Sequence, residues 1–544
     1  MGTLDWVVIG IFFLALIGII VWVVKQKQND SADYFLGGRD ATWLAIGASI
    51  FASNIGSEHL IGLAGAGASS GMAMAHWEIQ GWMILILGWV FVPFYSRSMV
   101  YTMPEFLERR YNPQSRTILS VISLISYVLT KVAVTVYAGG LVFQQVFGIK
   151  ELWGIDFFWI AAIGLVVLTA LYTIFGGMKS VLYTSVLQTP ILLLGSLIIL
   201  VLGFKELGGW DEMMSICSAV TVNEYGDTMT QLIRDNNDPN FPWLGALVGS
   251  AIIGFWYWCT DQFIVQRVLS GKNEKEARRG TIFGAYLKLL PVFLFLIPGM
   301  IAFALHQKYI GAGGEGFLPL LANGTANADA AFPTLVAKLL PAGVKGLVVC
   351  GILAALMSSL ASLFNSSAML FTIDFYKRFK PETPEKKLVG IGQIATVVIV
   401  ILGILWIPIM RSVGDVLYTY LQDVQSVLAP GIAAAFLLGI CWKRTSAKGG
   451  MWGLIAGMII GLTRLGAKVY YSNTAITDSS MFKYLFYDLN WLFFCGWMFL
   501  FCIIVVIAVS LMTEAPSAEK IQGLVFGTST PEQKAATRAS WNHW

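Results

Sequence analysis

Four ionisable side chains stand inside or beside segments that are otherwise apolar enough to lie in a membrane: Glu58, His59, Glu78 and Lys288. A charged side chain at bilayer depth costs roughly 2.5–3.5 kcal/mol on insertion scales, so it needs a charged partner or a polar ligand. Glu78 and Lys288 have opposite signs, which leaves two interpretations open. They form a buried ion pair that fixes helix register, or they present acceptors and donors to the hydroxyl groups of a polyol.

Two apolar segments carry polar interruptions of the kind found in broken membrane helices. The first, residues 45–74, contains the sequence SNIGSEH, and the second, residues 243–270, contains WCTDQ. Five apolar spans run from the first segment to residue 204, and five more run from the second to residue 442. Because an odd number of spans separates the two segments, the two blocks cross the membrane in opposite senses. This arrangement predicts an inverted repeat with a binding site near the midplane.

Three aromatic residues, Trp256, Tyr257 and Trp258, stand at the second interruption. Indole and phenol rings combine an apolar face with a polar edge, which suits the C–H face of a sugar. Such triplets also serve as interfacial belts or simple packing. Asp261 and Arg267 follow in the sequence, and they are also compatible with a helix end that faces cytoplasmic water.

A stripe of small and hydroxylated residues marks a later span. Ala355, Ser358, Ser359 and Ser362 follow i, i+3, i+4 and i+7 spacing, so they share one helix face. Hydroxyls together with the carbonyls freed at a broken helix supply the neutral oxygens that sodium prefers. Small residues also merely pack helices together, and the same alternative holds for glycines of the first interrupted segment such as Gly67.

The composition requires a membrane to hold these elements. Of the 544 residues 56% are hydrophobic and 12% are charged, and the mean hydropathy is +0.70, which exceeds what a soluble core needs. Segments of about 20 apolar residues cross the hydrocarbon, and the sequence predicts thirteen. They are 4–24, 42–74, 76–100, 117–147, 153–175, 179–203, 242–269, 280–306, 333–375, 387–410, 416–441, 450–470 and 488–512.

The positive charges predict the orientation of these spans. If the N-terminus is outside, the alternate loops and the tail that fall inside contain 24 of the 36 lysines and arginines, as the positive-inside rule expects. The C-terminus is then cytoplasmic, and the protein is expected in the cell membrane. The six scattered cysteines show no metal spacing, and the chain has no phosphate-binding loop and no basic stretch that suits nucleic acid. It has no nucleophile–base pair either, so an enzyme is not expected.

The sequence resembles the sodium/glucose cotransporter branch of the solute:sodium symporter family. The similarity extends in order over most of residues 40–512. The matching segments are FASNIGS at 51–57, TMPE at 102–105, LYTIFGG at 171–177, WYWCTDQ at 256–262, VQR at 265–267, YLK at 286–288, LMSS at 356–359 and FLLGICWK at 436–443.

The resemblance implies an all-α membrane protein with a five-plus-five inverted-repeat core, two broken helices and alternating access around a central sugar. Transferred position by position, it implies three sets of site residues. The sugar contacts would be Asn54, His59, Glu78, Tyr257, Trp258, Lys288 and Gln422. The gates would be Leu63, Trp77 and Tyr418 on the outer side and Tyr257 on the inner side. The sodium ligands would be the carbonyls of Ala52, Ile55 and Ala355 and the hydroxyls of Ser358 and Ser359.

Departures from the family pattern refine the expected function. Ser185 stands where relatives that use an additional sodium ion have an aspartate, and Ala361 stands where some have a hydroxyl. We therefore expect one sodium ion per sugar. Gly254 replaces a polar residue that touches sugar in relatives, which leaves the preferred stereochemistry open. The expected function is sodium-coupled symport of a glucose- or galactose-type hexose; the alternatives are another neutral solute such as an inositol, or a sugar sensor that does not transport.

The expected organisation follows the two repeats. It comprises a leading helix and linker (1–41), the first repeat (42–204), an outer loop that serves as a cover (205–241), the second repeat (242–442), two peripheral helices (443–512) and a cytoplasmic tail (513–544).

Overall fold

A computed structural model describes residues 1–26, 28–56, 58–321, 323–413, 417–472 and 480–541. The described chain is almost entirely helical, and two short strands, Glu151–Leu152 and Ile155–Asp156, pair as an antiparallel hairpin. Ten described helices are long and apolar enough to cross a membrane. They are Thr3–Val24, Gly71–Ser98, Phe157–Leu207, Trp243–Thr260, Glu274–Gly311, Val344–Phe379, Glu385–Pro408, Val424–Cys441, Ala447–Tyr471 and Trp491–Met512.

Shorter helices complete the fold. Two of them, Trp43–Asn54 and Ala133–Phe147, are apolar, and the second continues without a break from Pro113–Ser126 through a π-helical stretch, Tyr127–Val132. The others include Ser31–Leu36, Met103–Arg110, Trp210–Ser218, Gln262–Leu269, Ala331–Leu339, Ala518–Ile521 and Pro531–Trp541.

The helix Phe157–Leu207 has 51 residues and covers two of the predicted spans. It changes direction at Gly177, whose φ of 53° is in the left-handed region. A Cβ there would strike the carbonyl oxygen of Tyr34, so glycine is the residue that fits. Two spans thus join at a bend without a loop. The count of thirteen spans stays a prediction.

Both predicted broken helices are present. The first consists of Trp43–Asn54, a π-helical turn at Glu58–Leu63 and the second half Ala64–Ser69. The second consists of Trp243–Phe255, a π-helical turn at 256–260 and the second half Gln262–Leu269. Irregular backbone at membrane depth is tolerated only where it is buried in protein or lines a cavity, and both breaks lie in the interior.

The helix Val344–Met369 forms the centre of the protein, because its side chains are buried over almost its whole length. It packs against both Phe157–Leu207 and Trp43–Asn54. Alanine and serine dominate its sequence around residue 358, and such small side chains let neighbouring backbones approach closely. The serine stripe therefore faces the first broken helix.

Two glycines bring the second half of the first broken helix against the helix Ile297–Gly311. A Cβ at Gly67 would strike the carbonyl oxygen of Leu296, and a Cβ at Gly299 would strike the carbonyl oxygen of Ala64. The close-packing interpretation of the glycines is therefore correct for Gly67. The contact is reciprocal, because the backbone of each helix occupies the space that a side chain at the glycine of the other helix would need.

Part of the segment predicted as a cover lies on the end of the first broken helix. The amide of Met72 donates to the carbonyl of Met229 over 2.7 Å, and the guanidinium of Arg234 donates to the carbonyl of Ser70. Gly71, with a φ of 73°, has Met229 directly against it. The helix end is thus held by this segment.

A buried carboxylate stabilises the cover. Burial alone would raise the pKa of Asp238, but hydrogen bonds from the amides of Phe241 and Asn240 and the side chain of Asn223, together with Arg234, hold it below its usual value. A carboxyl group with a lowered pKa stabilises the fold at neutral pH and loses that contribution as the pH falls through the lowered value. Acid therefore removes the contribution of Asp238 to holding this segment in place.

Candidate functional site

The first break exposes backbone oxygens at the centre of the protein. The helix ends at Asn54, and Ile55 adopts an extended conformation with φ −79° and ψ 97°. Asparagine and serine compete with the helix for backbone hydrogen bonds, and Gly56 weakens it further. Carbonyls before such a break lose their helical donors. The hydroxyl of Ser359 donates instead, to the carbonyl of Ser53 over 2.7 Å and to that of Ile55 over 3.5 Å.

The second break has a similar form. The π-helical turn that carries Tyr257 and Trp258 ends at Asp261, which is extended with φ −75° and ψ 128°. The side chain of Asp261 then caps the second half by accepting from the amide of Phe263. The two aromatic side chains consequently stand where the helix is interrupted.

A cavity of about 520 Å³, counting its open mouth, lies between the two breaks. It brings together six of the seven sequence-predicted sugar contacts and three of the four predicted gates. The lining residues are Asn54, His59, Leu63, Trp77, Glu78, Gln80, Ile253, Tyr257, Trp258, Lys288 and Gln425. The remaining two predicted residues, Tyr418 and Gln422, have side chains outside the described part of the chain, as does Glu58.

The charges in the cavity compensate one another. The ammonium of Lys288 lies 2.7 Å from Glu78 Oε2 and 2.7 Å from His59 Nε2, and His59 Nε2 lies 3.2 Å from Glu78 Oε1. All three side chains are buried. The ion-pair interpretation of Glu78 and Lys288 is therefore confirmed. Both side chains also line the cavity, and their role in binding a polyol stays a prediction.

Apart from Glu78 Oε2, whose partner is the ammonium of Lys288, three buried polar atoms at the cavity have no hydrogen-bond partner within the described residues: Asn54 Oδ1, His59 Nδ1 and Gln80 Oε1. The amide nitrogen of Asn54 donates to the Tyr257 hydroxyl over 3.0 Å, which turns its oxygen to the other side. A buried unsatisfied polar atom costs about 1–3 kcal/mol. Three of them around one cavity mark a place for a polar ligand.

Gln80 is a cavity residue that the sequence pattern did not single out. A Cβ at Gly254 would lie 2.5 Å from Gln80 Oε1, so the glycine makes the room into which the glutamine reaches. Gln80 thus brings a polar group to the cavity at the place where Gly254 has no side chain. The available signal was a glutamine two positions after Glu78 in an otherwise apolar span. Gln425, three residues after Gln422, was also missed.

The serines form a hydroxyl cluster beside the first break. The hydroxyl oxygen of Ser53 lies 2.7 Å from that of Ser362 and 3.3 Å from that of Ser358. Ser358 lies 3.2 Å from the hydroxyl of Ser185. Together with the carbonyl oxygen of Ile55, these hydroxyl oxygens lie where the helices Phe157–Leu207 and Val344–Met369 meet the first break. The two other predicted ligands, Ala52 and Ala355, are buried one turn before Ile55 and Ser358.

A second buried ion pair lies beside Tyr257. The ammonium of Lys131 is 2.6 Å from Asp261 Oδ2 and 4.7 Å from the centre of the Tyr257 ring, and the hydroxyl of Tyr127 donates to Asp261. Arg267 is buried as well and donates to the hydroxyl of Ser49. With exposures of 5% for Asp261 and 1% for Arg267, the interpretation of these residues as a helix end in cytoplasmic water is wrong.

Broken helices around a polar, charge-compensated cavity are typical of secondary transporters. Residues 34–457 match the family model described as "Sodium:solute symporter family", and the chain belongs to that family. It is 37% identical over 538 residues to the sodium/myo-inositol cotransporter 2 of Homo sapiens, covering 96% of this chain and 79% of the relative. It is also 37% identical over 529 residues to the sodium/glucose cotransporter 1 of Ovis aries, with coverages of 94% and 79%.

The fold is also found in solved structures. A Na⁺-coupled sialic acid symporter in a substrate-bound outward-open state matches with a TM-score of 0.76 and 22% identity, over 95% of this chain and 99% of that one. This confirms the expected fold class, and the family confirms sodium as the coupled ion. The chain is a multi-pass membrane protein and a sodium-coupled solute symporter rather than an enzyme.

Proposed function

We propose that this symporter carries a neutral polyhydroxylated solute of the hexose type into the cell, with one sodium ion per solute. The observation that carries the proposal is the charge balance of the cavity. Glu78 is paired with Lys288 over 2.7 Å, so no full charge is left over in this pair for an ionic solute. The three unpartnered atoms then call for a ligand that both donates and accepts hydrogen bonds, as a hydroxyl group does.

The proposed roles follow the cavity lining. Asn54, His59, Glu78, Lys288 and Gln80 are suited to bind hydroxyl groups, and Trp258 offers an apolar face that suits the C–H face of a sugar ring. Leu63 and Trp77, with Tyr418, cover the solute from the outer side, while Tyr257 closes it from the inner side. Gln422 completes the proposed contacts.

A second candidate solute is myo-inositol. Sodium/myo-inositol cotransporter 2 from human and mouse each share 37% identity with this chain over almost its full length. Inositol is a ring of hydroxyl groups without charge, so the same cavity chemistry suits it. The two candidates differ in ring oxygen and hydroxyl stereochemistry, which Gln80 and Gly254 are placed to sense.

The sodium ion is proposed to bind at the carbonyls of Ala52, Ile55 and Ala355 and the hydroxyls of Ser358 and Ser359. A single ion is proposed because the neutral Ser185 supplies no negative charge to compensate a second cation. Its hydroxyl donates to the carbonyl of Val181 over 2.6 Å and lies 3.2 Å from that of Ser358. A tenfold sodium gradient supplies about 1.4 kcal/mol and a 100 mV potential about 2.3 kcal/mol. Together they support roughly several-hundred-fold accumulation.

The proposed orientation has the N-terminus outside and the C-terminus in the cytoplasm of the cell, since 24 of 36 lysines and arginines then lie on the inner side. Solute binds from outside with sodium, and release of sodium into the cytoplasm frees the solute. Tyr257 and the Lys131–Asp261 pair then belong to the inner closure.

Uptake into proteoliposomes tests the proposed solute. With an inward sodium gradient we expect accumulation of labelled glucose, galactose or myo-inositol, and no sodium-dependent accumulation of proline. Parallel sodium-22 and solute fluxes should be close to 1:1. Proline uptake without sugar or inositol uptake would contradict the solute class, a ratio near 2:1 would contradict the single ion, and sugar binding without accumulation would identify a sensor.

Substitution of Ser359→Ala tests the sodium site. Removing one oxygen from a cation is expected to raise the sodium concentration for half-maximal uptake about tenfold, since hydrogen bonds and contacts to charged groups are worth about 1.5–3 kcal/mol. Ser367→Ala is the matched control, because it removes a buried hydroxyl two turns further along the same helix and should change this concentration less than twofold. Equal effects of the two variants would place the sodium ion elsewhere.

A further inference from the structure

The C-terminal helix Pro531–Trp541 covers a second cavity at the end of the span Gly71–Ser98. The cavity measures about 800 Å³, counting its open mouth. Its wall combines aromatic side chains with cations. The aromatic side chains include Trp89, Phe526 and Trp541, and the cations include Arg97, Lys534 and Arg538. The transport cycle described above uses none of these residues.

Two arginines from the membrane domain hold the tail helix in place. Arg97 donates to the hydroxyl of Ser529 over 3.0 Å and to the carbonyl of Gln533 over 3.2 Å. Arg278 donates to the hydroxyl of Ser540 over 2.7 Å, and its guanidinium lies 4.3 Å from the centre of the Trp541 ring. The cavity between them is therefore a built part of the fold.

Positive charge exceeds negative charge at this cavity. Four cations line it, the two arginines above with Lys534 and Arg538. Within the described residues, the carboxylate paired with these four is that of Glu274, 3.4 Å from Arg278. The Nε atoms of Arg97 and Arg278 are buried and have no hydrogen-bond partner in the described part of the chain. Buried unpaired donors beside surplus cations indicate an anionic ligand.

The aromatic side of the cavity is exposed at the protein surface. Trp89 lies two turns before Arg97 on the same apolar span, which places it roughly 12 Å deeper along the helix axis. It is 46% exposed in the protein, and Phe526 is also exposed. An exposed indole at this depth contacts lipid chains, while the cations mark the headgroup level.

We propose that this cavity binds an anionic phospholipid from the cytoplasmic leaflet, with its phosphate among Arg97, Lys534 and Arg538 and an acyl chain along Trp89 and Phe526. A soluble phosphate would satisfy the cations but would leave the aromatic wall uncovered. The lipid also bridges the membrane domain and the tail, so its binding holds the C-terminal helix on the transporter.

Binding of phosphatidylglycerol to the purified full-length chain in phosphatidylcholine nanodiscs, followed by native mass spectrometry, tests this proposal. The variant Lys534→Gln/Arg538→Gln is expected to weaken phosphatidylglycerol binding about tenfold or more, because each cation near the surface attracts anionic lipid. The matched control is Lys386→Gln/Lys387→Gln, which removes two cations from exposed positions outside the cavity and should leave binding within twofold of the unmodified chain.

Three results would overturn the proposal. They are equal binding by the two double variants, equal occupancy with phosphatidylcholine alone, and displacement of the lipid by millimolar inorganic phosphate, which would identify a site for the free ion. A Trp89→Ala variant supplies a separate arm, because it removes lipid contact without changing charge and should weaken phosphatidylglycerol but not phosphate. Sodium-driven uptake in phosphatidylcholine vesicles should be the same for both double variants.

Discussion

Substitution of Glu78→Gln is expected to reduce the initial rate of sodium-driven solute uptake by about two to three orders of magnitude. The change leaves the ammonium of Lys288 buried without its carboxylate, which lies 2.7 Å away in the protein. Removing one partner of a buried pair costs about 3–5 kcal/mol, and each 1.4 kcal/mol corresponds to a factor of ten. Uptake per reconstituted protein in proteoliposomes measures the loss.

The exposed ion pair of Glu212 and Lys308 provides the control. Its atoms are 3.7 Å apart and its side chains are about 45% exposed, so Glu212→Gln should change uptake less than twofold. A double variant, Glu78→Gln/Lys288→Met, removes both buried charges and separates folding from binding. It should recover the stability lost by the single variant and still transport poorly. Wild-type uptake by Glu78→Gln would mean that the cavity between the breaks does not bind the solute.

The Lys131–Asp261 pair is expected to show strong energetic coupling. Asp261→Asn leaves a buried ammonium beside aromatic rings, and Lys131→Met leaves a buried carboxylate, so each should lower the free energy of unfolding by about 3–5 kcal/mol. The double variant should lose less than the sum, with a coupling of about 2 kcal/mol or more. Unfolding in SDS, followed by tryptophan fluorescence, measures the three differences.

The partly exposed pair of Lys483 and Asp488, whose charged atoms are 3.9 Å apart, gives the comparison for this cycle. Asp488→Asn should change the unfolding free energy by less than about 1 kcal/mol. Additive effects of Lys131→Met and Asp261→Asn would show that the two charges are independent. In that case they could not act together in the inner closure beside Tyr257.

The sequence predicted those parts of the site that leave a local pattern. Polar residues in an apolar run marked both breaks, because polar groups at bilayer depth are costly unless they pair with one another or face a cavity. The serine stripe was visible from helical spacing. Glu78 and Lys288 were recognised as possible partners by their opposite signs, although their 2.7 Å contact joins residues 210 positions apart.

Other parts depend on contacts that no spacing encodes. Asp261 was compatible with a water-facing helix end because its partner, Lys131, comes from a distant helix. Gln80 was overlooked because its place in the cavity depends on the missing side chain of Gly254. The tail was predicted only to be cytoplasmic, since its docking depends on Arg97, more than 430 residues earlier in the chain.

The reciprocal contact of Gly67 and Gly299 limits how the protein can move. Each backbone occupies the space that a side chain at the facing glycine would take, so the two helices cannot slide past one another. The second half of the first broken helix and the helix Ile297–Gly311 therefore move together as one rigid lever. The pivots of this lever are then the break at Ile55 and the turn at 288–290 that precedes Pro291. His59 and Lys288 lie next to these two pivots. A solute bound to these side chains would therefore act where a small rotation of the backbone displaces the far ends of both helices the most.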